Sequence, residues 1–83
     1  MKTTFYKLSE ALRQSNGFRD PYEEDYETDI IFEDEMQGSV GNNNGDVLEF
    51  KLLSKKYKNE RGLDDWDIEI LNIDEFQEVE KYL

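Results

Sequence analysis

In the segment WDIEI, residues 66–70, apolar and acidic side chains alternate one by one. A period of two is typical of a β-strand that buries one face and exposes the other. It predicts that the Trp and the two Ile side chains face a core, whereas Asp67 and Glu69 face water. The chain therefore contains at least one strand of a sheet with one dry and one wet face.

A second strand is predicted from about Val47 to Leu53, where apolar and polar residues again alternate. The dipeptide Asn44-Gly45 just before it is a strong hairpin signal, and residues 38–45 are interpreted as a loop. The alternative of one long helix over residues 47–60 is disfavoured by this turn and by the apolar run that follows it. A further strand is predicted over Thr28–Met36, where Ile30, Ile31 and Phe32 supply β-branched and aromatic bulk.

A helix is predicted over residues 3–16, because apolar side chains recur there at helical spacing. Thr3 or Thr4 offers an oxygen to cap its first turn, and Gly17 suits the position after its last turn. The side chains expected to pack on the sheet are Phe5, Leu8 and Leu12.

The C-terminal residues predict a short second helix, capped by Asp74, with Phe76, Val79 and Leu83 on its apolar side. The expected fold is therefore α+β. It is one domain over residues 1–83 in the order α-β-β-β-α, with a three-stranded antiparallel sheet packed by the terminal helices.

Composition excludes most catalytic chemistry. The 83 residues include no Cys and no His, so the usual zinc ligands, cysteine nucleophiles and histidine bases are absent. A chain this short buries only about 60% of its unfolded surface, which disfavours a deep substrate cleft. A calcium loop aligned on Gly45 would need Val40 and Lys51 as ligands, and no glycine-rich phosphate loop is present. We expect no enzymatic activity, no cofactor and no metal.

Charge is the most informative property of the chain. It carries 21 acids and 10 bases, a net charge of -11. Nine acids lie between Asp20 and Glu35 and eight between Asp64 and Glu80, with no base in either block, and half of the bases lie between Lys51 and Arg61. The residues predicted to contact a partner are Glu23, Glu24, Asp25, Glu27, Asp29, Glu33, Asp34, Glu35, Glu49, Asp64, Asp65, Asp67 and Glu69.

The spacing of a strand suggests what such acids could imitate. Same-face positions on a strand are about 6.6–6.8 Å apart, and two phosphate steps of one B-DNA strand are about 6.8 Å. In small size, lack of catalytic groups and segregated acids, the chain resembles the DNA-mimic proteins that phages and mobile elements use against restriction or CRISPR nucleases. Its predicted arrangement of helices and strands is also similar to that of some small anti-CRISPR proteins. This likeness is one of general character and assigns no residue a role.

The first hypothesis is therefore a nonenzymatic acidic inhibitor that mimics nucleic acid and occupies the basic groove of a DNA- or RNA-binding protein. The second is a protein-binding module, such as an antitoxin, an immunity protein or a regulatory subunit, anchored by Phe18, Tyr22 or Val40. The basic residues from Lys55 to Arg61 are interpreted as the solvated rim of a loop, and direct nucleic-acid binding is disfavoured by repulsion. No signal peptide or membrane span is recognised, so a cytoplasmic location is expected.

Overall fold

Four antiparallel strands and two helices form an α+β fold in the computed structural model, which describes residues 1–15, 37–42 and 44–83. A second, two-stranded ribbon lies beside the main sheet. In chain order the elements are β1 (Lys2–Thr4), α1 (Phe5–Gln14), β2 (Gln37–Gly41), β3 (Val47–Leu52), β4 (Tyr57–Lys58), β5 (Asp64–Asp65), β6 (Asp67–Ile70), a 3₁₀ turn (Ile73–Glu75) and α2 (Gln77–Glu80). In these described ranges neither helix has the length and apolar content needed to cross a membrane.

The main sheet has the order β1-β6-β3-β2, so the prediction of three strands is wrong. Residues at the start of the predicted helix form β1 instead, and Thr3 pairs with Ile68 of β6. Residues at the start of the predicted loop form β2, where Ser39 pairs with Glu49 of β3. The strand predicted over Thr28–Met36 lies outside the described residues.

The strand β2 depends on a missing side chain. Gly38 lies opposite Phe50, and a Cβ atom at Gly38 would come within 2.5 Å of the Cζ atom of that ring. The glycine therefore lets a buried ring lie across β2, which a composition of Gly and Ser alone does not indicate. The same strand buries Val40 completely, so the prediction of Val40 as an exposed loop anchor is wrong.

Two hairpin turns share one pattern. In each, an Asn opens the turn and accepts two backbone N–H groups through its own Oδ1 atom: Asn42 at the β2–β3 turn and Asn59 at the β4–β5 turn. A glycine follows three residues later with positive φ, 87° at Gly45 and 77° at Gly62. This region of φ favours glycine because it has no Cβ atom. The predicted hairpin at Asn44-Gly45 is confirmed.

The core lies between one face of the main sheet and the helices. From α1 it takes Phe5, Leu8, Ala11 and Leu12, as the helical spacing predicted. The alternating strands supply Leu48, Phe50, Leu52, Trp66, Ile68 and Ile70. The ring of Phe5 lies 5.2 Å from Trp66 in an edge-to-face arrangement, a favoured geometry for aromatic pairs.

The helix ends differ in part from the prediction. At α1, Thr4 accepts the Lys7 N–H through Oγ1 at 3.2 Å, which confirms the predicted cap. At the other end of the chain, Asp74 lies within the 3₁₀ turn, and α2 follows Phe76 with no side-chain cap. The predicted capping role of Asp74 is therefore wrong. Phe76 and Val79 are buried in the core, as predicted.

Candidate functional site

Five of the acids predicted to contact a partner lie in the described part of the chain. Glu49 and Asp67 are exposed, Asp64 and Glu69 are half-buried, and Asp65 is buried. Outside the described residues lie Glu23, Glu24, Asp25, Glu27, Asp29, Glu33, Asp34 and Glu35. The five described acids differ so much in exposure that each has to be considered by its own contacts.

The outer face of the main sheet carries Glu49, Asp67 and Glu69, as the alternation predicted. Two lysines lie on the same face. Lys51 is opposite Glu69, with its Nζ atom 3.5 Å from the Oε1 atom, and Lys2 is paired with Glu69 on the other side. An exposed ion pair of this kind adds only about 0–1 kcal/mol to stability, but it offsets the local charge. The outer face is therefore mixed in charge and does not form a continuous acidic row.

Asp67 is held by one residue of β4 and one residue of the connection that precedes it. Its Oδ1 atom accepts a hydrogen bond from the Tyr57 hydroxyl at 2.9 Å, and its backbone N–H donates to the Ser54 Oγ atom at 2.9 Å. Desolvation and this hydrogen bond raise the pKa of Tyr57 to about 12, because both disfavour a phenolate beside a carboxylate. Asp67 thus joins the ribbon of β4 and β5 to the sheet.

Asp65 has a structural role. It is only 3% exposed, and its Oδ1 atom accepts the backbone N–H groups of Tyr6 and Trp66, both at 2.9 Å. The Asn59 side chain donates to its Oδ2 atom at 3.3 Å. Tyr6 is in the first turn of α1, where N–H groups have no partner within the helix and a negative charge is favourable. Asp65 therefore caps a helix that is distant in sequence.

Asp64, the neighbour of Asp65, forms ion pairs with two lysines. Its carboxylate lies 2.9 Å from the Lys58 Nζ atom and 3.9 Å from that of Lys56. The hydrogen bond from Lys58 lowers the pKa of Asp64 below its ordinary value. Part of the basic segment predicted to be a solvated rim thus compensates an acid across the β4–β5 ribbon.

A surface where the described residues include several acids and no base occurs at the C-terminal end of α1. A groove of about 440 Å³ is lined there by Ser15, by the β2–β3 turn and by residues 74–79. Among the described residues that line it there is no Lys or Arg. We call this site the acidic groove and define it by its four acids, Asp46, Asp74, Glu75 and Glu78.

None of these four acids was among the predicted contact residues. Three of them belong to the second base-free block, which runs on to Glu80, so the block itself was the signal that could have found them. The fourth, Asp46, joins them because the hairpin turn places it beside the C-terminal residues. That juxtaposition depends on the register of β2 and β3 and is not visible in the sequence.

Most of the net negative charge of the chain lies in the segment that follows Ser15 in sequence. Residues 16–36 contain nine acids and one base, a net charge of -8, whereas the described residues contain twelve acids and nine bases, a net charge of -3. Ser15, the last described residue before that segment, lines the acidic groove. The most acidic part of the chain therefore follows directly after a residue that lines the acidic groove, where four exposed carboxylates lie together.

Metal chemistry finds no support in the described ranges, where no group of three or more Asp or Glu side chains has the geometry to hold an ion. No protein-family model, curated protein or solved structure matches the chain. The candidate site is therefore defined by its own geometry: an acidic groove at one end of α1, continuous in sequence with the acidic residues 20–35.

Proposed function

We propose that this protein is a nonenzymatic inhibitor that binds the basic, nucleic-acid-binding surface of a partner protein. The acidic groove and the acidic residues 20–35 form the contact. One observation carries the proposal: Ser15 lines the acidic groove, so nine further acids follow in the chain directly from a surface that already holds four.

Carboxylates without compensating bases destabilise a small domain through mutual repulsion, and a net charge of about -2 to -8 is enough for solubility. The chain compensates the acids of its sheet and ribbon with Lys51 and Lys58 but leaves the acidic groove without a base in its described lining. Such a surface attracts a basic partner and speeds the association.

Nucleic-acid mimicry is a specific form of this proposal. A groove that binds DNA or RNA presents rows of Lys and Arg to phosphates, and a compact cluster of carboxylates competes for the same side chains. The anti-restriction or anti-CRISPR type of inhibitor, acting in the cytoplasm, is the biological class that such competition fits. On this proposal the chain itself binds no nucleic acid.

The test is affinity capture with the purified protein as bait, at about 50 mM and 200 mM salt, with and without duplex DNA. We expect the captured proteins to be nucleic-acid-binding proteins that are released by DNA and by the higher salt, because phosphate-like contacts weaken steeply with ionic strength. A captured nuclease is then assayed for inhibition of cleavage.

Matched variants assign the contact. The groove variant Asp74→Asn/Glu78→Gln and the segment variant Glu23→Gln/Glu24→Gln each remove two negative charges, and both are expected to weaken capture. The control variant Glu10→Gln/Glu60→Gln removes the same charge from positions that do not line the acidic groove and are not predicted contacts, and it is expected to bind normally. Equal loss in all three variants would mean that net charge alone governs binding, and the proposed contact would be wrong.

A second candidate, the protein-binding module, is favoured by one observation. Val47 and Leu71 are 46% and 47% exposed. Both belong to the outer side of the sheet, and the Leu71 N–H donates to the Glu49 carbonyl oxygen across it. A partner retained at 200 mM salt and in excess DNA, but lost in Val47→Ser/Leu71→Ser, would support this module over the mimic.

A further inference from the structure

A second groove lies at the other end of α1 and has the opposite character. Its volume is about 500 Å³, and it is bounded by the first turn of α1 and by the β4–β5 hairpin. We call it the basic groove and define it by the side chains of Tyr6, Lys7, Tyr57, Lys58 and Arg61. None of the described residues that line it also lines the acidic groove.

Arg61 is held in place before any ligand binds. Its guanidinium carbon lies 5.1 Å from the centroid of the Tyr6 ring, and its backbone N–H donates to the Asn59 Oδ1 atom at 2.9 Å. An arginine stacked on an aromatic ring loses less freedom when it binds an anion, and its planar fork suits phosphate. The stack therefore prepares a cation at the edge of the basic groove.

Two lysines complete the positive charge. Lys58 is oriented by Asp64 at 2.9 Å, which also offsets part of its charge, and Lys7 is exposed in the first turn of α1. The first backbone N–H groups of that helix are already bonded to Trp66, Asp65 and Thr4, so an anion here would contact side chains and not the helix terminus. Two acids are among the described residues that line the groove: Asp65 is buried and is bonded to those amides, whereas Glu60 is exposed and offsets part of the positive charge.

The aromatic side of the groove is supplied by Tyr57. Its side chain is 37% exposed, and its hydroxyl is committed to Asp67, so the ring has a fixed position with part of its surface open. Aromatic rings in such a setting stack with the flat faces of bases, an interaction worth about 1–3 kcal/mol per base. The groove volume also lies in the range of about 300–1,000 Å³ that is usual for sites of small ligands.

The acids outside the basic groove limit the size of the anion that can bind there. The ten residues of α1 separate the two grooves by about 15 Å, which exceeds the Debye length of about 8 Å at physiological salt. The acidic groove therefore does little to repel a small anion at the basic groove. A long polyanion would extend into the field of the remaining acids, and this favours a single nucleotide over a nucleic acid.

We propose that the basic groove binds a nucleoside monophosphate, with the phosphate on Lys7, Lys58 and Arg61 and the base stacked on Tyr57. The site is independent of the proposed inhibitory contact, because it lies at the opposite end of α1 and uses the opposite charge.

The test is an NMR titration of ¹⁵N-labelled protein with adenosine monophosphate, inorganic phosphate and adenosine as separate probes. We expect saturable shifts of the Tyr6, Tyr57 and Arg61 resonances with the nucleotide and at least about fivefold weaker binding of the other two probes, since each supplies only half of the contacts. Equal affinity for inorganic phosphate and the nucleotide would overturn the proposal, as would an acidic tetrapeptide that binds more tightly than the nucleotide.

A matched pair of variants separates this site from nonspecific charge. Arg61→Gln removes the cation above Tyr6 and is expected to weaken nucleotide binding about tenfold or more, the usual effect of losing a charge-assisted hydrogen bond. Lys81→Gln removes a cation that lies 6.0 Å from the Tyr82 ring, outside the groove, and should leave the affinity unchanged. Unchanged resonances of residues away from the hairpin and from Tyr6 show that Arg61→Gln is folded. Equal effects of the two substitutions, or none, overturn the proposal.

Discussion

Replacing Asp65 with alanine is expected to destabilise the protein strongly, although the residue is one of a pair of adjacent acids in a very acidic chain. The substitution removes the acceptor of the Tyr6 and Trp66 N–H groups, each 2.9 Å away. Loss of the cap bond to Tyr6 costs about 1 kcal/mol, and loss of the hydrogen bond from the buried Trp66 N–H adds about 1–3 kcal/mol. The free energy of unfolding should therefore fall by about 2–4 kcal/mol.

Urea denaturation followed by the fluorescence of Trp66, which is 8% exposed in the native fold, measures this change. With a denaturant slope of about 1–3 kcal/mol per M, the midpoint should fall by about 0.7–4 M. Asp65→Asn keeps an acceptor oxygen and should lose less. The matched control is Asp64→Ala, which removes the same charge from an exposed ion pair and should change the midpoint much less. If the two alanine variants unfold at the same midpoint, Asp65 is not the cap of α1.

Three further predictions follow from geometry and charge. Gly38→Ala should lower stability by about 1–3 kcal/mol by overpacking, whereas Gly41→Ala, whose Cβ atom would have its nearest neighbour at 3.9 Å, should be nearly neutral in thermal denaturation. The pKa of Tyr57 is raised to about 12 from 10.0, so its contribution to stability is complete below pH 10 and is lost as the pH rises to 12. In absorbance at 295 nm, Tyr57→Phe should abolish a phenol titration near pH 12. Lys58→Gln should raise the pKa of Asp64 toward its ordinary value, and the carboxyl resonance should show titration at a higher pH than in the unsubstituted protein.

Local patterns predicted the parts of the fold that local forces determine. The alternation in β3 and β6 identified both strands and the side chains that each buries. The spacing of Phe5, Leu8 and Leu12 identified the buried face of α1, and Asn44-Gly45 identified a hairpin turn. In each case the period of the apolar residues, or the conformational freedom of glycine, acts within a few residues of sequence.

The missed features all depend on contacts between residues that are further apart in sequence than one turn of helix or one strand. The strand β2 has Gly and Ser where strands usually have branched residues, and it forms because the Phe50 ring covers Gly38. The acids of the outer face were expected to form a row, but the register places Lys51 directly opposite Glu69. The capping role of Asp65 requires an amide that is far away in sequence. The partner contact itself stays a prediction for Glu49, Asp67 and Glu69.

The pairing of β1 with β6 joins residues from opposite ends of the chain, and this has a kinetic consequence. The β2–β3 hairpin is local and can form early, whereas Thr3 meets Ile68 only after a long loop has closed. We expect α1 to gain its cap late, after the transition state of folding. Substitution of Asp65 should then speed unfolding with little change in the folding rate, a φ-value near 0. A φ-value near 1 in a chevron analysis would place the joining of the two chain ends at the start of folding instead.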